Sequence, residues 1–172
     1  MSARDQVAAV LSGQLSAERL MEASLERVAA VKGTVNAIVS MRDTEDVLAQ
    51  ARAVDRAGPR GALAGLPTAI KDLADAKGLP NSQGSPIVAG QISQFDDPHV
   101  ARMRAAGAIF FGKTNVPEFG LGSHSYNPVF GVTGNPYAPH LSAGGSSGGA
   151  AAALASGMMA IATACKQVAQ DG

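Results

Sequence analysis

The chain has 172 residues, 46% of them hydrophobic and 16% charged, which suffices for the core of one domain and rules out a disordered or collagen-like segment. Fourteen basic residues balance fourteen acidic ones, so no field draws nucleic acid or anionic lipid to the surface, and direct nucleic-acid binding is not expected. The single Cys165 cannot form an internal disulfide, and the polar start MSARDQ has no apolar stretch behind a basic head, so a cytoplasmic protein is expected.

Ser16 precedes AERLMEASLERVAAV, in which Leu20, Met21, Leu25, Val28 and Ala29 recur at helical spacing; an amphipathic helix capped by Ser16 is predicted. Asn36 opens NAIVSM, a short strand. Thr44 before EDVLAQARAVDRA reads as the cap of a second helix, with acids in its first turn, Arg56 late and Gly58-Pro59 as the stop. Pro67–Ile70 is a strand that runs into Lys71. Asp97-Pro98, then HVARMRAA and Gly107, sets cap, first-turn proline and terminal glycine in helical order. The next residues, Ala108–Phe111, are apolar without alternation, the pattern of a strand covered on both faces, and Met158–Ala164 is a third candidate strand. Strands alternating with helices predict an α/β fold around a largely parallel sheet.

Thirty-three alanines against seven aromatic residues imply close backbone packing. From Phe119 to Cys165 no residue is charged, so this stretch is expected to be buried or to line a cavity. Pro128, Pro136, Pro139 and repeated glycines argue against its spanning a membrane.

Three features carry chemistry. Lys71 stands directly after an apolar strand, where loss of water disfavours an ammonium and makes a base of a lysine, although spacing alone favours an ordinary surface lysine paired with Asp72 or Asp75. Ala143–Ala150, with four glycines around Ser146 and Ser147, lets backbone approach a ligand closely and leads into a helix former whose N–H groups point back at the loop. No Gly-Lys-Ser or Gly-Lys-Thr follows, which excludes a phosphate loop of the Walker type. Gly112–Phe119 crowds polar groups after the Ala108–Phe111 strand and is expected to face the same crevice as Lys71. His99, His124 and His140 show no metal spacing, so neither a metal nor another cofactor is expected.

The segments GLPTAIKDLADAKGLPNSQGS, DPHVARMRAAGAIFFGKTNVPEFGLGS, NPVFGVTGNPY and SAGGSSGGAAAALASGM resemble successive blocks of the amidase signature family, over residues 16–162. The resemblance implies one α/β domain with a mixed, largely parallel sheet flanked by helices, of which residues 1–172 form the N-terminal portion. It also implies hydrolysis of a small-molecule carboxamide through a Ser-Ser-Lys triad. Lys71 matches the catalytic lysine and Ser146 the bridging serine held on a cis peptide, with Gly144, Gly145 and Ser147 against the substrate. The family also contains the amidotransferase subunit that acts on charged transfer RNA, which is the second reading.

The third triad member belongs to a Gly-Gly-Ser element due at Gln170, yet the chain reads ACKQVAQDG there and has no serine after Ser156. A catalytically inactive fragment or scaffold is therefore a further reading. Codons allowed for Cys165–Gln170 spell Gln-Thr-Gly-Gly-Ser in a shifted frame, so a frame slip near Ala164 is an expectation that the encoding DNA tests. Ala138 and Leu141 stand where the family commonly has an acid and a base. The strands ending at Ile70 and Phe111 are expected to leave an unpaired edge and an uncovered apolar face, and hence a homo-oligomer such as a dimer, an aggregating chain or a partly molten one.

Overall fold

In the computed structural model, which describes residues 1–163, five helices pack around a three-stranded sheet. The first helix, α1 (Ala3–Leu11), lies in the polar start that hydrophobic spacing passes over. It is nucleated by a reciprocal capping box in which Ser2 Oγ accepts from Asp5 N and Asp5 accepts from Ser2 N. Helix α2 (Ala17–Val35) begins as predicted, with Ser16 Oγ accepting from Arg19 N at 3.0 Å. Its first turn is also held from outside, because the Asp55 carboxylate accepts from Ala17 N (2.8 Å) and Glu18 N (3.1 Å). Helix α3 (Thr44–Ala57) is capped by Asp43 rather than Thr44; the aspartate reaches Glu45 N and Asp46 N, and Thr44 becomes the first helical residue.

The strands are β1 (Ile38–Val39), β2 (Pro67–Lys71) and β3 (Ile109–Thr114), in the order β1-β3-β2. Strand β2 pairs with β3 in parallel, Lys71 opposite Thr114, and β1 pairs with β3 antiparallel, so the sheet is mixed. Every residue of the three strands is buried. Strand residues alternate between two faces. One face, with Ala69, Ile109 and Phe111, packs on α2, α3 and the last helix, α5 (Gly148–Ala155); the other, with Ile70 and Phe110, packs on Val100 of α4 (Pro98–Ala105) and on Leu79. Helix α4 starts at Pro98 as predicted, but Asp97 does not cap it through its side chain; that carboxylate accepts from Asp75 N instead.

Two expectations are corrected. Residues 158–163 form no strand: Met158 and Met159 enter the core, while Met159 Sδ and Thr163 Oγ1 accept from Ala69 N and Lys71 N along the edge of β2. An unbroken apolar run does not distinguish a strand from an irregular buried segment. Ala164 lies outside the described residues, as do Cys165 and Gln170. The uncharged stretch is not uniformly buried either, for Leu121 is 72% and Tyr137 86% exposed. Its middle forms two small hairpins, β4 (Tyr126–Asn127) with β5 (Gly131–Val132) and β6 (Gly134–Asn135) with β7 (Ala138–Ser142). Their backbone and amide groups suffice to keep them wet without charge. No helix among the described residues is long and apolar enough to cross a membrane.

Candidate functional site

Pro67, Ala69 and Lys71 share one face of β2, and that parity sends the Lys71 side chain towards the start of α5. Lys71 is 1% exposed, which removes the surface-lysine reading. Its Nζ lies 3.1 Å from Ser146 Oγ and 2.9 Å from Ser147 Oγ. Both serines are half-buried, and Gly144 and Gly145 before them are exposed. A buried amine is thus within hydrogen-bond reach of two hydroxyls at a position that solvent reaches, an arrangement suited to proton transfer.

The Gly/Ser loop is held by the segment before it. Ser125 Oγ donates to Gly145 O (2.8 Å), Gly145 N donates to Ser123 O, and Ser125 N donates to Ala143 O. Gly145 adopts φ 86°, a left-handed conformation that favours glycine, and Gly148 N closes the turn onto Gly145 O. The glycines divide into two uses. A Cβ on Gly149 would stand 2.3 Å from Asn115 O and one on Gly148 2.6 Å from Ser125 Oγ, so Gly149 lets α5 press against the end of β3 and Gly148 lets it press against the segment that holds the loop. Around Gly144 nothing lies within 4 Å, and only Ser147 N does so around Gly145, so this pair faces open space. The resemblance places a cis peptide at Ser146, but every peptide bond among the described residues is trans. A cis bond before a residue other than proline costs ~3–4 kcal/mol and persists only where surrounding structure enforces it.

Sequence reasoning missed the support beneath the loop. Asn115, fully buried, donates to Gly131 O and Thr133 Oγ1 and accepts from Asn127 Nδ2 at 2.7 Å; Thr133 Oγ1 in turn donates to Asn36 O. The network ties β3 to the hairpin region and to the end of α2. Asn127 also takes Val129 N and Phe130 N on its Oδ1, the Asx turn that Asn-Pro in the sequence could have signalled.

The Gly112–Phe119 segment was expected to face Lys71 as a loop. Instead β3 continues to Thr114, and because the pairing slips by one residue at Phe111, between Thr68–Phe110 and Ala69–Gly112, Lys113 comes opposite Ile70 and points to the other face from Ile109 and Phe111. There its Nζ donates to Ala74 O at 2.7 Å and stands 3.6 Å from Asp72 Oδ1, both side chains being fully buried. Burial pushes the Lys113 ammonium below its ordinary pKa, against the pull of Asp72, Asp75 and Asp97. Burial likewise raises the Asp72 carboxyl, opposed by its bonds from Ser82 and by Lys113. Among the described residues no three His, Cys, Asp or Glu side chains converge as metal ligands.

Comparisons with known proteins bear on this site. The family model described as Amidase matches residues 19–165. The chain is 45% identical over 159 residues to a glutamyl-tRNA(Gln) amidotransferase subunit of Salinispora arenicola, covering 90% of this chain and 32% of that one. It is 41% identical over 165 residues to the indoleacetamide hydrolase of Bradyrhizobium diazoefficiens, covering 94% and 31%. Among solved structures, the peptide amidase of Stenotrophomonas maltophilia superposes with a TM-score of 0.85 at 32% identity, covering 94% of this chain and 35% of that one. The chain therefore spans about a third of the length of each.

Proposed function

Since the chain belongs to the amidase signature family, we propose that the protein hydrolyses a small-molecule carboxamide to a carboxylate and ammonia or an amine, residues 1–172 being the N-terminal portion of the catalytic domain. The observation that carries this reading is the contact of the buried Lys71 Nζ with Ser146 Oγ at 3.1 Å. In the free-amine form Lys71 takes the Ser146 proton, and Ser146 takes one from a nucleophilic serine that the resemblance puts at position 170, outside the described residues. Run backwards, the same relay protonates the leaving amine, which an amide requires and an activated ester does not. Gly144, Gly145 and the half-exposed loop form the substrate side. With fourteen basic residues balancing fourteen acidic ones, the reading is of an enzyme that meets its substrate without direct nucleic-acid contact, and a cytoplasmic location goes with it as part of the proposal.

Ammonia release from a panel of aliphatic and aryl carboxamides tests the reading, measured on the chain and on its Gln170→Ser variant. Turnover is expected in the variant, and Lys71→Ala or Ser146→Ala should each reduce it on the order of ten-thousandfold. Turnover that is undiminished in Lys71→Ala overturns it. The 45% identity to an amidotransferase subunit favours a second reading, in which the released ammonia passes to a charged transfer RNA held by a partner. Co-purification with a transfer-RNA-binding partner would move the assignment there.

A further inference from the structure

Ser147 carries a hydroxyl that the Lys71–Ser146 relay leaves unused. Its Oγ is the nearer of the two hydroxyls to Lys71 Nζ, at 2.9 Å against 3.1 Å. It occupies the N-cap position of α5, yet its side chain makes no capping bond to the helix, so the hydroxyl is committed to the lysine. Its own backbone N–H donates to no acceptor among the described residues. That N–H borders the open space over Gly144 and Gly145, where a Cβ on Gly145 would find only Ser147 N within 4 Å. Nucleophile, base, an oxyanion donor on the nucleophile's own backbone and the positive end of a helix thus meet at one solvent-reached point.

We propose that Ser147 is a second catalytic residue, a Ser–Lys dyad with Lys71 that accepts acyl groups from activated esters independently of the residue at position 170. The inference rests on the reading of Lys71 as a proton acceptor. Ser147 Oγ attacks the ester carbonyl carbon and its proton passes to the free amine of Lys71. The tetrahedral oxyanion forms beside Ser147 N–H. The bond to the aryloxide oxygen then breaks, and the Lys71 ammonium returns the proton to the leaving phenol. Water attacks the acyl carbon of the Ser147 ester, giving one proton to Lys71, which passes it to the departing Ser147 oxygen. A carboxylic acid and a phenol leave, and the enzyme is restored. An aryloxide departs with little help, so this two-residue unit suffices for an ester where an amide needs the longer relay.

A fluorophosphonate probe, which bonds to an activated serine oxygen with loss of fluoride, tests this on the 172-residue chain by mass spectrometry of the digested product. One phosphonyl group on Ser147 is expected, retained in Ser146→Ala within a fewfold and lost in Ser147→Ala. Lys71→Ala and Lys71→Met should slow labelling on the order of a hundredfold or more, with circular dichroism confirming the fold. Should the lysine variants unfold, the two serine variants still decide the site. Label on Ser146 in place of Ser147, an unlabelled chain that is folded, or labelling indifferent to Lys71 in a folded variant overturns the proposal. Absence of amide turnover in Gln170→Ser beside a labelled Ser147 sinks the amidase reading alone, whereas turnover in that variant beside an unlabelled Ser147 sinks this one alone.

Discussion

Two lysines enter the same sheet from adjacent strands, Lys71 from β2 and Lys113 from β3, and each is almost wholly excluded from water. Their environments differ through one step of register. Lys71 lies opposite Thr114 and meets the Ser146 and Ser147 hydroxyls on the α5 face, while Lys113 lies opposite Ile70 and meets the Asp72 carboxylate on the α4 face. A carboxylate compensates a buried ammonium and fixes the pair as a structural tie. Hydroxyls instead leave a proton that can move. Burial alone therefore does not decide what a lysine can do; the chemistry of its neighbours does.

The sharpest way to break this contrast is Lys113→Met, which strands Asp72 without its partner and should destabilise the fold by about 3–5 kcal/mol in denaturant unfolding. If Lys71→Met proves the more destabilising of the two, the division of roles is wrong. Next in size, Gly149→Ala drives a methyl against the Asn115 backbone. A loss of about 1–3 kcal/mol is expected, together with reduced reactivity of the loop serines, because α5 must back away from β3.

The pH dependence isolates Lys113. Its folded pKa is depressed, so between that value and the ordinary 10.5 the unfolded chain binds the proton that the folded chain lacks, and stability rises with pH. The difference between wild type and Lys113→Met should therefore grow with pH in this window, by at most about 1.4 kcal/mol per pH unit. Equal slopes in the two proteins would exclude the linkage. Smallest of all, Ser125→Ala removes the donor to Gly145 O and should lower stability by about 1 kcal/mol, loosening the loop more than the fold. Hydrogen exchange confined to residues 143–148 would show it.

One half of this contrast, the Lys71 side, was legible in the sequence. Strands β2 and β3 show as unbroken apolar runs, Ser16 as a cap, and Lys71 and Ser146 through ordered blocks of family resemblance. Helix α1 was not, since it rests on a two-residue capping box and buries only one narrow stripe. The role of Lys113 was hidden by the one-residue slip at Phe111: plain alternation from Ile109 and Phe111 would put Lys113 on the α5 face, and only the irregular pairing of β3 with β2 turns it to the other. Asn115, Asn127 and Thr133 were unreadable as a unit because their bonds join segments whose proximity is a product of the whole fold. The exposed hairpins misled for the opposite reason, as amides and turns hold water without any charge.

The Asp55 carboxylate, which clasps the first turn of α2 from within α3, also bears on the order in which the chain assembles. It closes a loop of 38 residues, whereas Lys71 and Ser146 meet across 75. Closing the longer loop costs more chain entropy and has to await the sheet and the hairpins that carry Ser125. If the α2–α3 pair forms before the Lys71–Ser146 contact, Asp55→Ala should slow refolding and Ser146→Ala should leave its rate unchanged. Substitutions at Ser146 and Ser147 would then leave undisturbed the route by which the scaffold forms.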